Sequence, residues 1–208
     1  LAASASESCA SSYHFYSLMH GMHGMHGTEA PSEWVRRWSH LIAPHSTVLD
    51  VACGAGRHLR HLRGQGHTVV GVDRSAEALA ACEGLGELVQ ADIENEPWPF
   101  AGRQFGGVVV TNYLWRPLLP TIVASVAPGG VLVYETFAQG NETVGRPARA
   151  EFLLAPGELL HVCKDLRVVG YEDGFIDEPA RFVQRITAVR EHPQAGGPSR
   201  HLLSIGAS

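Results

Sequence analysis

Lysine is nearly missing from this chain. Lys164 is the only one, so arginine carries almost all of the positive charge. Acids still outnumber Lys and Arg, 21 to 16, and the formal net charge is -5. That balance lacks the basic surplus of a typical nucleic-acid binder, and we expect no nucleic-acid partner. Cysteine is scarce as well. Cys9, Cys53, Cys82 and Cys163 stand far apart with no C-x-x-C pair, which argues against a zinc knuckle or a disulfide framework and favours a reducing, cytoplasmic setting. No apolar run is long enough to cross a bilayer, so no membrane partner is expected. The Ala/Ser-rich start, with Glu7 and no basic residue, does not read as a signal peptide.

What is present suits a full-sized core: 45% of the 208 residues are hydrophobic and 18% charged. Residues 1–27 form a distinct segment, expected as a flexible extension or flap, and 28–208 a single domain. In the extension His20, His23 and His26 alternate with Gly and Met. The glycines leave those imidazoles unorganised, and we expect no metal there. From Ser32, a plausible N-cap, Trp34, Trp38, Leu41 and Ile42 share a helical face, and Pro44 ends the helix. Strand and helix signals then alternate. Strands are expected at 47–52, 68–73, 87–91, 105–111 and 131–137. Helices are expected at 56–64, from Ser75 to Cys82, at 117–127 and at 156–163. A long polar loop spans 138–150. Strands at 166–172 and 182–190 have only a turn between them, so they should pair antiparallel. The whole predicts an α/β chain with a Rossmann-like, doubly wound, seven-stranded sheet, mostly parallel with an antiparallel last strand.

The chemistry centres on Val48-Leu49-Asp50-Val51-Ala52-Cys53-Gly54-Ala55-Gly56-Arg57-His58. An apolar strand ends in an acid, becomes a glycine turn and opens a helix. Gly54 and Gly56 let the backbone approach a ligand, and the helix start directs free N–H groups at it. Asp73, at the end of the second strand, is placed to accept hydrogen bonds from a ribose diol, and Asp50 to face an amino group. A nicotinamide enzyme is the competing reading, but Leu59 occupies the third glycine position of its fingerprint. An acid at Asp50 would also repel a pyrophosphate. S-adenosylmethionine matches better: a ribose, a cationic amino group and no phosphate. A catalytically silent nucleoside-binding module is the third reading. Arg57, His58, Arg60, His61 and Arg63 read as mostly a solvated helix face.

These residues resemble motif I of the class I S-adenosylmethionine-dependent methyltransferases. Gly71-Val72-Asp73-Arg74-Ser75 is similar to the segment with their ribose-binding acid, and Ala91-Asp92-Ile93-Glu94 to the loop that holds adenine. Val126-Ala127-Pro128-Gly129-Gly130-Val131-Leu132 resembles the turn into their fifth strand. Within the class the chain looks most like small bacterial enzymes of the tellurite-resistance type. Ala52 departs from the pattern by replacing the usual first glycine. The resemblance implies a donor site of Asp50, Ala52, Gly54, Gly56, Asp73, Arg74, Asp92, Ile93, Thr111 and Asn112, with S-adenosylhomocysteine as product. It implies methyl transfer to an O, N, S or related nucleophile of a small molecule.

Acceptor-side candidates lie after the fourth and fifth strands, where such sheets bind ligands. They are Tyr113, Trp115, Arg116, Phe137 and Arg146, with Trp115 either a pocket wall or a core residue, Arg116 either an anion contact or a solvated helix start, and the 138–150 loop suited to a lid. Tyr113 and Glu135 are the candidates for catalysis, with Glu135 either a base or simply the partner of an arginine.

Overall fold

The computed structural model describes residues 29–192 and 199–203. The expected extension over 1–27, with its three histidines, lies outside them. A seven-stranded sheet runs in the order β3-β2-β1-β4-β5-β7-β6. Its strands are β1 (Thr47–Val51), β2 (Thr68–Asp73), β3 (Glu87–Gln90), β4 (Phe105–Thr111), β5 (Val126–Phe137), β6 (Arg167–Ile176) and β7 (Arg181–Val189). β1 to β5 are mutually parallel, and β7 runs antiparallel to both β5 and β6. The expected fold class is the one observed.

Two apolar layers sandwich the sheet. α1 (Glu33–Trp38), α2 (Arg57–Gly64) and α3 (Ala76–Ala80) cover one face through Trp34, Trp38, Leu59, Leu62 and Leu79, which pack on Val48, Val109, Val133 and Val189. α4 (Leu119–Ala124), α5 (Glu158–Val162) and the loop carrying Ile93 and Phe100 cover the other, on Leu49, Val51, Val110 and Ile186. Alternate residues of a strand therefore belong to different layers. Asp50, between Leu49 and Val51, falls on the α1–α2 side.

Several elements differ from expectation at their ends. The Pro117-led helix starts as a 3-10 turn at Arg116–Leu118 and is α-helical only over α4. Pro128-Gly129-Gly130 does not separate a turn from the fifth strand. β5 begins at Val126, and the extra residues leave the ladder as a bulge between the Phe105↔Val126 and Gly107↔Val131 pairs. The 138–150 loop is anchored rather than free to act as a lid. Buried Asn141 donates to the Pro147 carbonyl and accepts from the Phe182 amide, at 2.9 and 3.1 Å.

Candidate functional site

β1 ends in a tight turn whose backbone passes through left-handed φ three times, at Ala52 (55°), Gly54 (53°) and Gly56 (79°). Gly56 is required twice over: by its φ, and because a Cβ there would lie 2.6 Å from the Cys82 sulfur. Ala52 carries a Cβ where glycine is the unstrained residue. Ala52→Gly is expected to raise the unfolding free energy by about 0.5–1 kcal/mol, the left-handed penalty less the entropy cost of glycine. Urea titration checks this, and a loss of stability would contradict it.

Asp73 closes the turn from the neighbouring strand. Its Oδ2 accepts the Gly54 amide and its Oδ1 the Ser75 amide, both at 2.9 Å. Each oxygen retains a lone pair, so a vicinal diol fits between them. Below the loop, the Cys53 and Cys82 thiols both donate to the Gly54 carbonyl, at 3.7 and 3.4 Å. Asp92 follows β3. Its oxygens accept the Glu94 amide (3.2 Å) and the Asn95 side chain (2.9 Å). Burial pushes its pKa up, but those hydrogen bonds and Arg74 outweigh burial and hold the carboxyl below its usual range. Ile93 beside it is buried.

Asp50 and His58 form the floor. Asp50 is 1% exposed, and its Oδ2 has no hydrogen-bond partner. Burial holds its carboxyl well above the usual range, Arg57 opposes that, and Asp73 adds to it. His58 is 2% exposed. Burial, then Arg57 and His61, push its pKa down to about 3, so the imidazole is neutral at physiological pH. Its Nε2 accepts the Ser32 amide at 3.2 Å. Nδ1 therefore carries the proton, 3.5 Å from Thr111 Oγ1 and 3.8 Å from Asp50 Oδ2. The Asp50 contact is thus not an ion pair. An unpartnered, buried carboxyl oxygen beside a glycine loop fits the ammonium of a methionine moiety, and Asp73 fits the ribose. On both counts the residues present suit S-adenosylmethionine.

The floor has a consequence for stability. A carboxyl whose folded pKa is raised binds its proton more tightly in the native state. Native stability therefore falls as pH rises from 3.8, the free value, through the folded pKa. Asp50→Asn should be more stable than the parent at pH 7, with the difference vanishing below pH 3.8. It should also bind S-adenosylhomocysteine more weakly. Equal stabilities at both pH values would contradict the first expectation.

Most of the acceptor-side and catalytic candidates are engaged in the fold. Arg116 is committed to the fold: it pairs with Glu158 at 2.8 Å and donates to the carbonyls of Glu151 and Leu153. Glu135 is 1% exposed, with Oε1 accepting the Ser32 hydroxyl at 2.8 Å and Oε2 2.7 Å from Arg185 Nε as an ion pair outside hydrogen-bond alignment. A carboxylate so engaged is part of the packing rather than a free base. Tyr113 lies in the core, where its carbonyl accepts the Tyr134 hydroxyl, and Trp115 packs against the same cluster. Phe137 is half-buried at the end of β5, and Arg146 is exposed. Thr111 is buried, and Asn112 turns out of β4 with φ 53°.

Other residues were missed. The basic helix face expected to be mostly solvated has two exceptions: His58 is buried and Arg57 bears on Asp50. Ser32 caps α1 by accepting the Trp34 amide while contacting both His58 and Glu135. Arg185 pairs with Glu135, Glu33 and Glu172. A usable signal was present: Gln184-Arg185 interrupts the apolar strand Phe182–Val189, and a charge there needs a buried partner.

Fold, loop and acids define the class I S-adenosylmethionine-dependent methyltransferase fold, in a form closely resembling the TehB-like bacterial methyltransferases. Residues 48–130 match the methyltransferase-domain family. TehB of Haemophilus influenzae superposes with a TM-score of 0.62 at 20% identity, covering 86% of this chain and 67% of that one. The N-methyltransferase NodS of Bradyrhizobium japonicum gives 0.58 at 17% identity, over 74% and 92% of the chains. By sequence, a tRNA U34 carboxymethyltransferase of Pseudoalteromonas translucida is 32% identical over 133 residues, 55% of this chain and 40% of the relative. The chain thus spans well under two thirds of that protein. An uncharacterized methyltransferase of Synechocystis is 26% identical over 165 residues, covering 75% and 74%. The tRNA relatives overturn the expectation that nucleic acid is excluded as a partner. Net charge was a poor guide because a local surface, not the total, meets a nucleic acid. Among the described residues no helix is long and apolar enough to cross a membrane.

Proposed function

We propose that this protein transfers a methyl group from S-adenosylmethionine to a small-molecule or nucleoside acceptor. The observation that carries the reading is the pairing of Asp73, with a free lone pair on each oxygen, and the unpartnered Asp50 Oδ2 across one glycine turn. In this reading Asp73 receives the ribose, and Asp92 with Ile93 flanks the adenine. Asp50 faces the amino group, and Arg57 with the free amides of α2 receives the carboxylate. Thr111 and Asn112 border the methionine part, and Arg74 the ribose side. The bound donor supplies an already activated methyl on a sulfonium. What remains for the chain is to align donor and acceptor and to exclude water. The tRNA relatives support keeping a nucleoside among the acceptors. Free thiols at Cys53, Cys82 and Cys163 support a cytoplasmic setting.

Calorimetric titration with S-adenosylhomocysteine and with NAD tests the donor, and release of S-adenosylhomocysteine across an acceptor panel tests transfer. Tight binding of NAD with none of S-adenosylhomocysteine would reverse the reading. Donor binding without turnover on any acceptor would favour the silent nucleoside-binding module.

A further inference from the structure

β7 runs against its neighbours, so it begins at the carboxyl edge of the sheet, the same edge that carries the glycine turn after β1. Its first residue is Arg181. Arg181 and Arg185 are four residues apart on an extended strand and so project to the same face, the α1–α2 side, where Asp50 and Glu135 also lie. The arginines of this corner are treated differently by the fold. Arg185 pairs with Glu135, Glu33 and Glu172, and Arg57 faces Glu29 at 3.7 Å. Arg181 is half-buried and its Nε is sequestered without a hydrogen bond. Among the described residues no carboxylate stands within ion-pair distance of it.

That is an unfavourable place for a guanidinium. Burial presses the pKa of Arg181 downward, Glu135 opposes, and Arg185 and Arg57 add like charge. Arginine does not relieve such stress by losing its proton. An incoming anion relieves it, and a planar fork favours an oxyanion held by two parallel hydrogen bonds. The neighbouring arginine, Arg57, starts α2 beside the glycine loop and is the nearer cation for the donor's own carboxylate. Arg181 stands at the start of β7, which the sheet order sets beyond β4 and β5 from β1 and on the opposite side from Asp73 of β2.

We propose that Arg181 anchors an oxyanion of the acceptor, so that the protein methylates an acidic substrate, one carrying a carboxylate or a phosphate group. This rests on the donor reading above. Arg116, the anion-binding candidate in the sequence, is not available for that role because Glu158 already neutralises it.

The test uses the full chain saturated with S-adenosylhomocysteine and two matched pairs of probes: benzoate with benzamide, and uridine 5′-monophosphate with uridine. Binding is followed by calorimetry for the parent, Arg181→Gln and Arg181→Lys. At least one acid should bind roughly tenfold or more tighter than its neutral twin, the effect of one charge-assisted contact. Arg181→Gln should erase that preference and Arg181→Lys keep part of it. Which pair discriminates separates a carboxylate from a phosphate source. S-adenosylhomocysteine affinity should be unchanged in both variants. If neither acid outbinds its twin, or Arg181→Gln still discriminates, the inference is overturned. A fall in S-adenosylhomocysteine affinity in Arg181→Gln also overturns it, since Arg181 would then serve the donor's own carboxylate. Failure of the parent to bind S-adenosylhomocysteine at all would instead strike the donor reading, so the two failures are distinguishable.

Discussion

Replacing Asp73 with Ala should lower the affinity for S-adenosylhomocysteine by about two orders of magnitude or more. Two hydrogen bonds from a ribose diol to a carboxylate contribute about 1.5–3 kcal/mol each. Their loss is compounded by the loop, because the same carboxylate accepts the Gly54 and Ser75 amides at 2.9 Å. Ala leaves both amides without that acceptor and lets the turn drift from the shape that receives the donor. Asp73→Asn separates the two effects. Its single carbonyl oxygen can keep one loop contact but not the charge, so its loss should be intermediate. Calorimetry on both variants reads this directly. An Ala variant that binds as tightly as the parent would remove Asp73 from the donor site.

The largest stability effect is expected at Arg185. Arg185 is 6% exposed, and it balances Glu135, which is 1% exposed. Truncating one member of a buried pair strands the other charge, at a cost of about 3–5 kcal/mol. Arg185→Leu should therefore lower the urea midpoint sharply. The change would also remove the link to Glu33 of α1 and the cation over the Trp34 ring at 5.7 Å. The double variant Arg185→Leu with Glu135→Leu should recover most of the loss, because neither charge is then left unpaired. If the single variant unfolds within about 1 kcal/mol of the parent, the pair is too hydrated to matter. A double variant that is stable and still binds donor would also confirm that Glu135 belongs to the packing under α1.

The legible part of this protein was the part written in short-range pattern. The run Val48–His58 states strand, turn and helix start in consecutive residues, and β1, the turn and α2 follow it. Alternating strand and helix signals predicted a parallel sheet, and the short link before residue 182 predicted the antiparallel pair β6–β7. Gly56 is needed by local backbone geometry, which sequence spacing carries. The polar core was not legible. Ser32 reaches Glu135 across 103 residues, and the Trp34 indole reaches the Ile186 carbonyl across 152. Neither separation leaves a periodic trace. His58 illustrates the failure most plainly: its helix face looked basic and solvated, yet its own side chain turns onto β1 and meets the amide of Ser32.

The sequence by itself determined the class of fold, the glycine turn and the two acids that flank it, because each depends on backbone preferences and hydrophobic alternation over a few residues. Tertiary structure alone decided which charges are neutralised. Arg116 and Glu135 were drawn into ion pairs, while among the described residues Arg181 was left without one. The reason is physical: burial and pairing of a charge depend on what chain closure brings within a few ångströms, and no local pattern encodes that distance.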